Sequence, residues 1–465
     1  MNDRLLRVLV VVLAVAAVLL HSRLAPRLAY DGENTVDEAD GLYALDNVRR
    51  GAPLYRDFSQ PPHVLTPYLP LFYYVPGTAA RWLNLERAGG WLAGRAYIYL
   101  GWLSVAGLIY LLARQAGASR WAGSLAGLLW LAGGVATANA VAYRPDAVAL
   151  ALSLAAVWMY PRNRAAAVGL LVAAFLHRHA AVAPLAALAG WELSRREYRR
   201  GIGLIVGWAA ALTVIVGWLA WTTNGALLQN VWGPLGAWSD AGRMWTLLGL
   251  ALVGGLAGFG GGVLALARGE GGLLRSYFVW ALVVAVVTSV KFGAGVNYYL
   301  EPFAVGCVLT GVVVERGRAM AVAVAALVVA QLGWARPAIA PPPTPRPWAV
   351  IAKQLAQWPD PLLIEDGYLA VRCGRAPVIL NASMFGALQR AGRFDDGKIV
   401  EQIRAGKFGA VVTVAPVEER RRFRQFPAAW LDAVGGRYRL VATGLPVCVY
   451  APAEVDAQQP HAEHR

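Results

Sequence analysis

The sequence is short of charge, of lysine and of cysteine. Only 15% of its 465 residues are charged and 57% are hydrophobic, against roughly a quarter charged and just under half apolar in soluble domains. That balance excludes an ordinary water-soluble chain. Cysteine occurs three times, too seldom for a disulfide framework. Cys307 lies in an apolar run, whereas Cys373 and Cys448 lie in the C-terminal region, where pairing and two free thiols are both open readings. Lysine occurs only at 291, 353, 398 and 407, so the net charge of +15 is almost all arginine. No Walker motif and no Ser–His–Asp arrangement can be read from the spacing. The run "GFGGGV" at 258–263 has no strand beside it and reads as close helix packing.

What is present is a series of apolar runs, most near the length of a membrane crossing. They predict spans at 5–22, 95–113, 121–139, 145–160, 165–178, 180–193, 201–221, 245–267, 276–291, 299–314 and 319–336. The first follows Arg4 and Arg7; it reads as an uncleaved span, because no small-x-small cleavage site follows it, with a signal peptide as the competing reading. Under this threading Arg114 and Arg120, Arg162 and Arg164, Arg195 to Arg200, Arg268 and Arg275, and Arg316 and Arg318 fall on one side. Arginine in every alternate loop is the positive-inside pattern, and it explains the basic balance better than nucleic acid does.

The expected architecture is therefore an α-helical polytopic membrane protein of about 11 transmembrane helices with a small C-terminal soluble α/β domain. The membrane region covers 1–338 and has a long outer loop at 23–94. A proline-rich linker follows at 339–348, then an extracytoplasmic domain at 349–465. In that domain "PLLIEDG", "APVIL", "GAVVTV", "YRLVATG" and "PVCVYAP" read as strands, and "DDGKIVEQIRA" and "EERRRFRQFPAAWLDAV" as helices.

Charges that break the apolar pattern are the informative ones, because an ionisable group in a bilayer is costly unless paired or wet. Four places qualify. The stretch "ENTVDEADGLYAL" at 33–45 carries Glu33, Asp37, Glu38 and Asp40 directly after the first span, with Asp46 just beyond. Residues 36–50 suit a short helix, so the acids serve either as caps or as a catalytic group. "AYRPDAVAL" places Arg144 and Asp146 around Pro145, either a good helix start or an ion pair orienting an active-site wall. "HRH" puts His177, Arg178 and His179 in an apolar stretch. Adjacent histidines on a helix are not a metal-ligand spacing, so a phosphate site fits better, against the plainer reading of a polar loop. "SVKFGAGVNYYLEPFAV" gathers Lys291, Asn297, Tyr298, Tyr299 and Glu301, which are interface anchors or a ligand wall.

The order of these features resembles the GT-C superfamily of integral-membrane glycosyltransferases, in particular the bacterial branch of protein O-mannosyltransferases and lipid A aminoarabinose transferases. The features that carry it are one span, an acidic outer loop, "LYRDF", a Pro/Tyr-rich stretch, "RPD", "HRH" and "NYYLEP". The resemblance implies a polyprenyl-phosphate-linked sugar donor and transfer on the outer face of a bacterial inner membrane. The family's acidic motif in the first outer loop matches Asp37-Glu38 here, with Asp40 a close competitor; "HRH" stands where relatives often carry a lysine.

The chemistry such a transfer needs agrees with the residues. Asp37, or else Glu38 or Asp40, takes the proton of an acceptor hydroxyl. Arg178, with His177, His179 or Lys291, holds the departing phosphate. Arg144, Asp146, Asn297, Tyr298 and Glu301 support them. A divalent cation (Mg or Mn) shared by carboxylates and phosphate is compatible with this set, and the metal stays open. The expected partners are the lipid-linked donor, a lipid, glycan or protein acceptor, and membrane lipids, with no nucleic acid. Two competing readings stand. A lipid-sugar flippase needs a polar path across the membrane. A polysaccharide polymerase or ligase needs Arg and His in a large late loop, and 222–243 carries only Asp240 and Arg243 as charged residues.

Overall fold

The computed structural model describes residues 3–35, 38–137, 139–235, 239–291, 293–334, 347–419, 425–442 and 447–453. The membrane region is built of helices α1 (Asp3–Leu24), α2 (Glu38–Arg49), α3 (Leu71–Trp82), α4 (Arg87–Gln115), α5 (Arg120–Leu131), α6 (Gly134–Thr137), α7 (Asp146–Met159), α8 (Arg164–His177), α9 (Ala183–Ser194), α10 (Tyr198–Thr222), α11 (Ala226–Trp232), α12 (Ala241–Gly254), α13 (Leu256–Arg268), α14 (Leu273–Ser289), α15 (Leu300–Val313) and α16 (Arg318–Trp334). Several starts are written in the sequence: Ser119, Asn163 and Asp240 each accept a hydrogen bond from a backbone N–H three residues on.

Every apolar run is helical, but the helices differ in reach. Among the described residues four are long and apolar enough to cross a membrane: Arg4–Ala29, Arg87–Gln115, Tyr198–Thr222 and Val296–Val313. α12 and α13, read from sequence as one span at 245–267, are bent by 94°. The corner is at Gly255, where a Cβ would lie 2.7 Å from the Phe303 ring. Counted as one broken span, this pair makes five, so helix length does not carry the count of eleven. Asp146–Met159, Arg164–His177, Leu273–Ser289 and Ala319–Gly333 are shorter apolar helices. The chain is a multi-pass membrane protein. On α10, Ile202, Val206, Val214, Trp218 and Trp221 all face outward, as lipid contact requires.

At the centre stands α15, buried along its whole length. It packs on α13 through the "GFGGGV" glycines: a Cβ on Gly306 would meet the Gly258 carbonyl oxygen at 2.4 Å, and Thr310 Oγ1 donates to the Ala257 carbonyl at 3.1 Å. Small residues at such a crossing let two backbones meet.

The arginine-bearing loops gather at one end. Arg162 donates to Gln115 Oε1 at 2.9 Å, Arg316 pairs with Glu270 at 3.0 Å, and the Ser119 N–H donates to Glu315. α7 runs from Asp146 to Met159, so about 20 Å separates its start from that basic end.

The C-terminal region forms a four-stranded sheet, β1 (Leu362–Ile364), β2 (Ala410–Thr413), β3 (Tyr438–Ala442) and β4 (Cys448–Pro452), in the order β1-β2-β4-β3. β1 and β2 are parallel; β4 is antiparallel to both neighbours. Helices α17 (Trp348–Leu355), α18 (Gly367–Arg372), α19 (Ala382–Arg390), α20 (Gly397–Arg404) and α21 (Ala428–Arg437) surround it. Four of the five predicted strands form. "APVIL" does not: Ile379 makes only an isolated parallel bridge to His63 of the first loop. That pairing docks the sheet domain on the loop, and Phe58 and Leu65 of the loop enter its core beside Phe385 and Trp430. None of Cys307, Cys373 and Cys448 is in a disulfide.

Candidate active site

A cavity of about 920 Å³, open to solvent, lies where α2, the start of α7, the α8–α9 break, the segment before α15 and the sheet domain converge. Asp40 lines one wall. Arg144, His179, Lys291 and Tyr298 line it as well, with Asn381 and Met384 from the sheet domain. The residues that read from sequence as separate anomalies therefore share one space.

Behind the wall is a cluster centred on Asp146. It accepts from Asn297 Nδ2 at 2.9 Å, and Arg178 and Arg144 lie 3.2 and 3.6 Å from its carboxylate. One carboxylate thus faces two guanidiniums. Arg178 also stacks over the Tyr298 ring at 4.8 Å, and Lys291 Nζ lies 5.2 Å from the same ring. Among the described residues Lys291 has no carboxylate at ion-pair distance. The wall is therefore cationic, and the cationic groups are held in place rather than waving in solvent.

His179 lies in the break between α8 and α9, outside both helices. Burial, followed by the nearby Lys291 and Arg178 charges, pushes its imidazole down to about 3. It is neutral at physiological pH, and its buried Nδ1 has no hydrogen-bond partner. Burial pushes the Tyr68 phenol, on the loop before α3, up to about 12, with Arg144 pulling the other way. Both groups line the cavity as neutral polar surfaces.

Two expectations are corrected. Glu38 is not a cavity group. Its carboxylate takes two hydrogen bonds of 2.9 Å from Arg95 and further ones from the backbone N–H of Tyr143 and Asn34. Both partners of this ion pair are buried. Glu38 ties α2 to α4, and every acceptor direction is in use. His177 is not a phosphate ligand either. It ends α8, with Nδ1 on the Ala173 carbonyl at 2.9 Å and Nε2 on the Tyr97 hydroxyl at 2.6 Å. The chain then leaves the helix at Arg178, whose backbone is extended, so the three residues of "HRH" face three different surroundings.

Glu301 also sits behind the wall, buried and accepting from the Tyr277 hydroxyl at 2.7 Å. Asp37 lies outside the described residues. Among those described, no three His, Cys, Asp or Glu side chains gather as metal ligands.

The residue missed from sequence is Asn381. Its Nδ2 donates to Asp40 Oδ2 at 2.9 Å, while its Oδ1 accepts from the Met384 N–H and caps α19. Its φ of 57° is left-handed, a conformation asparagine tolerates better than most residues. The cap pattern was readable in "LNASM"; the contact with Asp40, 341 positions away, was not.

No protein-family model matches the chain, and no curated protein matches it. Solved structures do. ArnT from Cupriavidus metallidurans bound to undecaprenyl phosphate superposes with a TM-score of 0.62 at 15% identity, over 97% of this chain and 99% of that one. The archaeal oligosaccharyltransferase AglB from Archaeoglobus fulgidus, in complex with an inhibitory peptide and a dolichol-phosphate, gives 0.53 at 12% identity, over 97% of this chain and 75% of that one.

The chain has the fold of ArnT and AglB. That fold accounts for nearly the whole length, the docked C-terminal domain included, since the superposition with ArnT spans 97% of this chain and 99% of that one. The cavity thus lies within this shared fold, where the loop before α3 and the C-terminal region close over the helices.

Proposed function

We propose that this protein is a glycosyltransferase that moves a sugar from a polyprenyl-phosphate donor to an acceptor hydroxyl, in the inner membrane of a bacterium and on its extracytoplasmic side. The observation that carries the proposal is the meeting, in one cavity, of a carboxylate on α2 and a fixed cationic wall. ArnT and AglB, which share the fold, were both captured with a lipid phosphate, the class of carrier this wall suits. The arginine loops lie at the opposite end of the helices from the cavity. By the positive-inside rule that end is cytoplasmic.

In the proposed reaction the acceptor O–H gives its proton to Asp40. The acceptor oxygen forms a bond to the anomeric carbon as the bond from that carbon to the phosphate oxygen breaks. The electron pair leaves on the phosphate, where Lys291 and Arg144 meet the developing charge. Arg178 and Asp146 hold Tyr298 and Arg144 in place, and Asn381 fixes the Asp40 carboxylate. Attack opposite the leaving group inverts the anomeric centre. A transporter would require a polar path, yet below the cavity Phe303, Trp130 and Trp102 stack on one another with centroids 5.8 and 4.1 Å apart.

The test compares lipid and glycan extracts, by mass spectrometry, from cells lacking the protein and from cells carrying Asp40→Asn. Both should lack the same glycosylated product. Unchanged product with correctly folded Asp40→Asn protein would remove Asp40 as the base.

A further inference from the structure

One and a half turns along α2 from the cavity is a second pocket, which the reaction above does not use. Counting the space open to solvent it measures about 570 Å³, and it lies between α2, the start of α4 and the segment after α18. Four arginines line it, Arg50, Arg56, Arg87 and Arg375, with Asp46 as the lining carboxylate.

Asp46 cannot neutralise this set. It is buried, and its two oxygens already serve Arg49 at 2.7 Å, Arg50 at 3.1 Å and Arg87 at 3.2 Å. Arg375 pairs at 3.0 Å with Asp360, which is largely exposed. Among the described residues the Arg56 guanidinium has no ion pair or hydrogen bond. Four lining guanidiniums thus meet two carboxylates, Asp46 and Asp360, and neighbouring like charges repel unless an anion joins them. The floor is also shaped to admit one. Gly374 has a φ of 78°, and a Cβ there would stand 3.2 Å from Arg87 Nη1. Guanidiniums in a fixed fork bind phosphate and carboxylate bidentately.

We propose that this pocket binds an oxyanion, a phosphate or a carboxylate, carried by the acceptor. Calling the bearer the acceptor rests on the transfer reading; the anion site itself does not. The spacing fits that role. Asp40 and Asn47 lie on the same helix, seven positions apart, which is about 10 Å along its axis. An acceptor anchored by its anion in this pocket, at Arg56, would reach the cavity with a hydroxyl about one sugar ring away. Tyr43, on the pocket wall, offers that ring an aromatic face.

The experiment uses the full-length protein in detergent, in a Lys291→Gln background so that the donor wall does not report. Thermal unfolding is followed against inorganic phosphate and, separately, against glucuronate, at constant ionic strength. A saturable upward shift is expected with at least one probe. Phosphate alone assigns a phosphorylated acceptor, and glucuronate alone an acidic sugar. Adding Arg56→Gln, which breaks no internal contact, should raise the half-saturating concentration about tenfold. No saturable shift with either probe, or an unchanged half-saturation in Arg56→Gln, overturns the proposal. Because no transfer is measured, that failure leaves the catalytic reading of Asp40 untouched. Asp40→Asn should bind the probes as the parent does.

Discussion

Two charged clusters flank the first turn of α2, and they are built in opposite ways. Around Glu38 the ledger of charge and hydrogen bonds closes: one carboxylate meets one guanidinium in a bidentate pair, with backbone donors filling the rest. Around Asp146 the cations outnumber the carboxylate. Arg144 and Arg178 share one carboxylate, and Lys291 stands beside them over Tyr298. The first arrangement is what a structural strut needs, since a buried charge must be satisfied. The second leaves positive charge aimed at a cavity, which is useful only if something negative arrives. Charge alone therefore does not mark a functional group; charge left unbalanced next to space does.

The contrast can be broken most sharply by two substitutions two positions apart. Asp40→Asn should lower transfer by about two to four orders of magnitude and leave the unfolding midpoint in detergent nearly unchanged. Glu38→Gln should do the reverse at the level of stability. Leaving Arg95 buried and only partly answered costs about 3–5 kcal/mol, read as a large fall in the midpoint and in expression. If Glu38→Gln is stable and inactive instead, the roles of the two acids are exchanged.

Lys291→Gln is next in size. It should weaken binding of a polyprenyl-phosphate sugar about tenfold to a hundredfold, with acceptor binding unaffected; equal donor affinity in mutant and parent would take the lysine out of the phosphate site. Asn381→Ala removes a hydrogen bond of about 1 kcal/mol, so kcat should fall about fivefold while KM for the donor holds. A change confined to stability would make Asn381 a helix cap and nothing more.

The smallest effect concerns pH. His179 has a folded-state pKa pushed down to about 3 from an ordinary value of 6.5. The unfolded chain therefore takes up a proton first as the pH falls. The contribution of His179 is level above about 6.5, and the fold loses stability progressively between there and about 3. His179→Gln should flatten that acid limb in melts collected from pH 7 to pH 4. An unaltered limb would mean the imidazole is better solvated than its surroundings imply.

Much of this was legible in the sequence, for a physical reason. A helix facing lipid must be apolar around its outer face, so each run announces itself locally, and the acid loop, "RPD", "HRH" and "NYYLEP" stand out against it. Direction was harder to read. Glu38 and Asp40 lie on different sides of α2, and which of them meets Arg95 depends on a partner 57 positions on. His177 and His179 part company because the helix ends between them. The 94° corner between α12 and α13 depends on the Phe303 side chain filling the angle, and no local pattern encodes that.

The docking of the sheet domain has a practical consequence. It is fastened to the membrane half by the His63 backbone pairing with Val378 and Leu380, by Arg372 on Asp31, by Arg393 on the Gly233 and Leu235 carbonyls, and by Asn381 on Asp40. A protease cut engineered between Trp334 and Trp348 should leave two fragments that co-purify, and the nicked protein should keep the proposed transfer activity. By the same token, the globular half cannot be traded for another as though it were a detachable handle: any chimera must bring a residue able to meet Asp40.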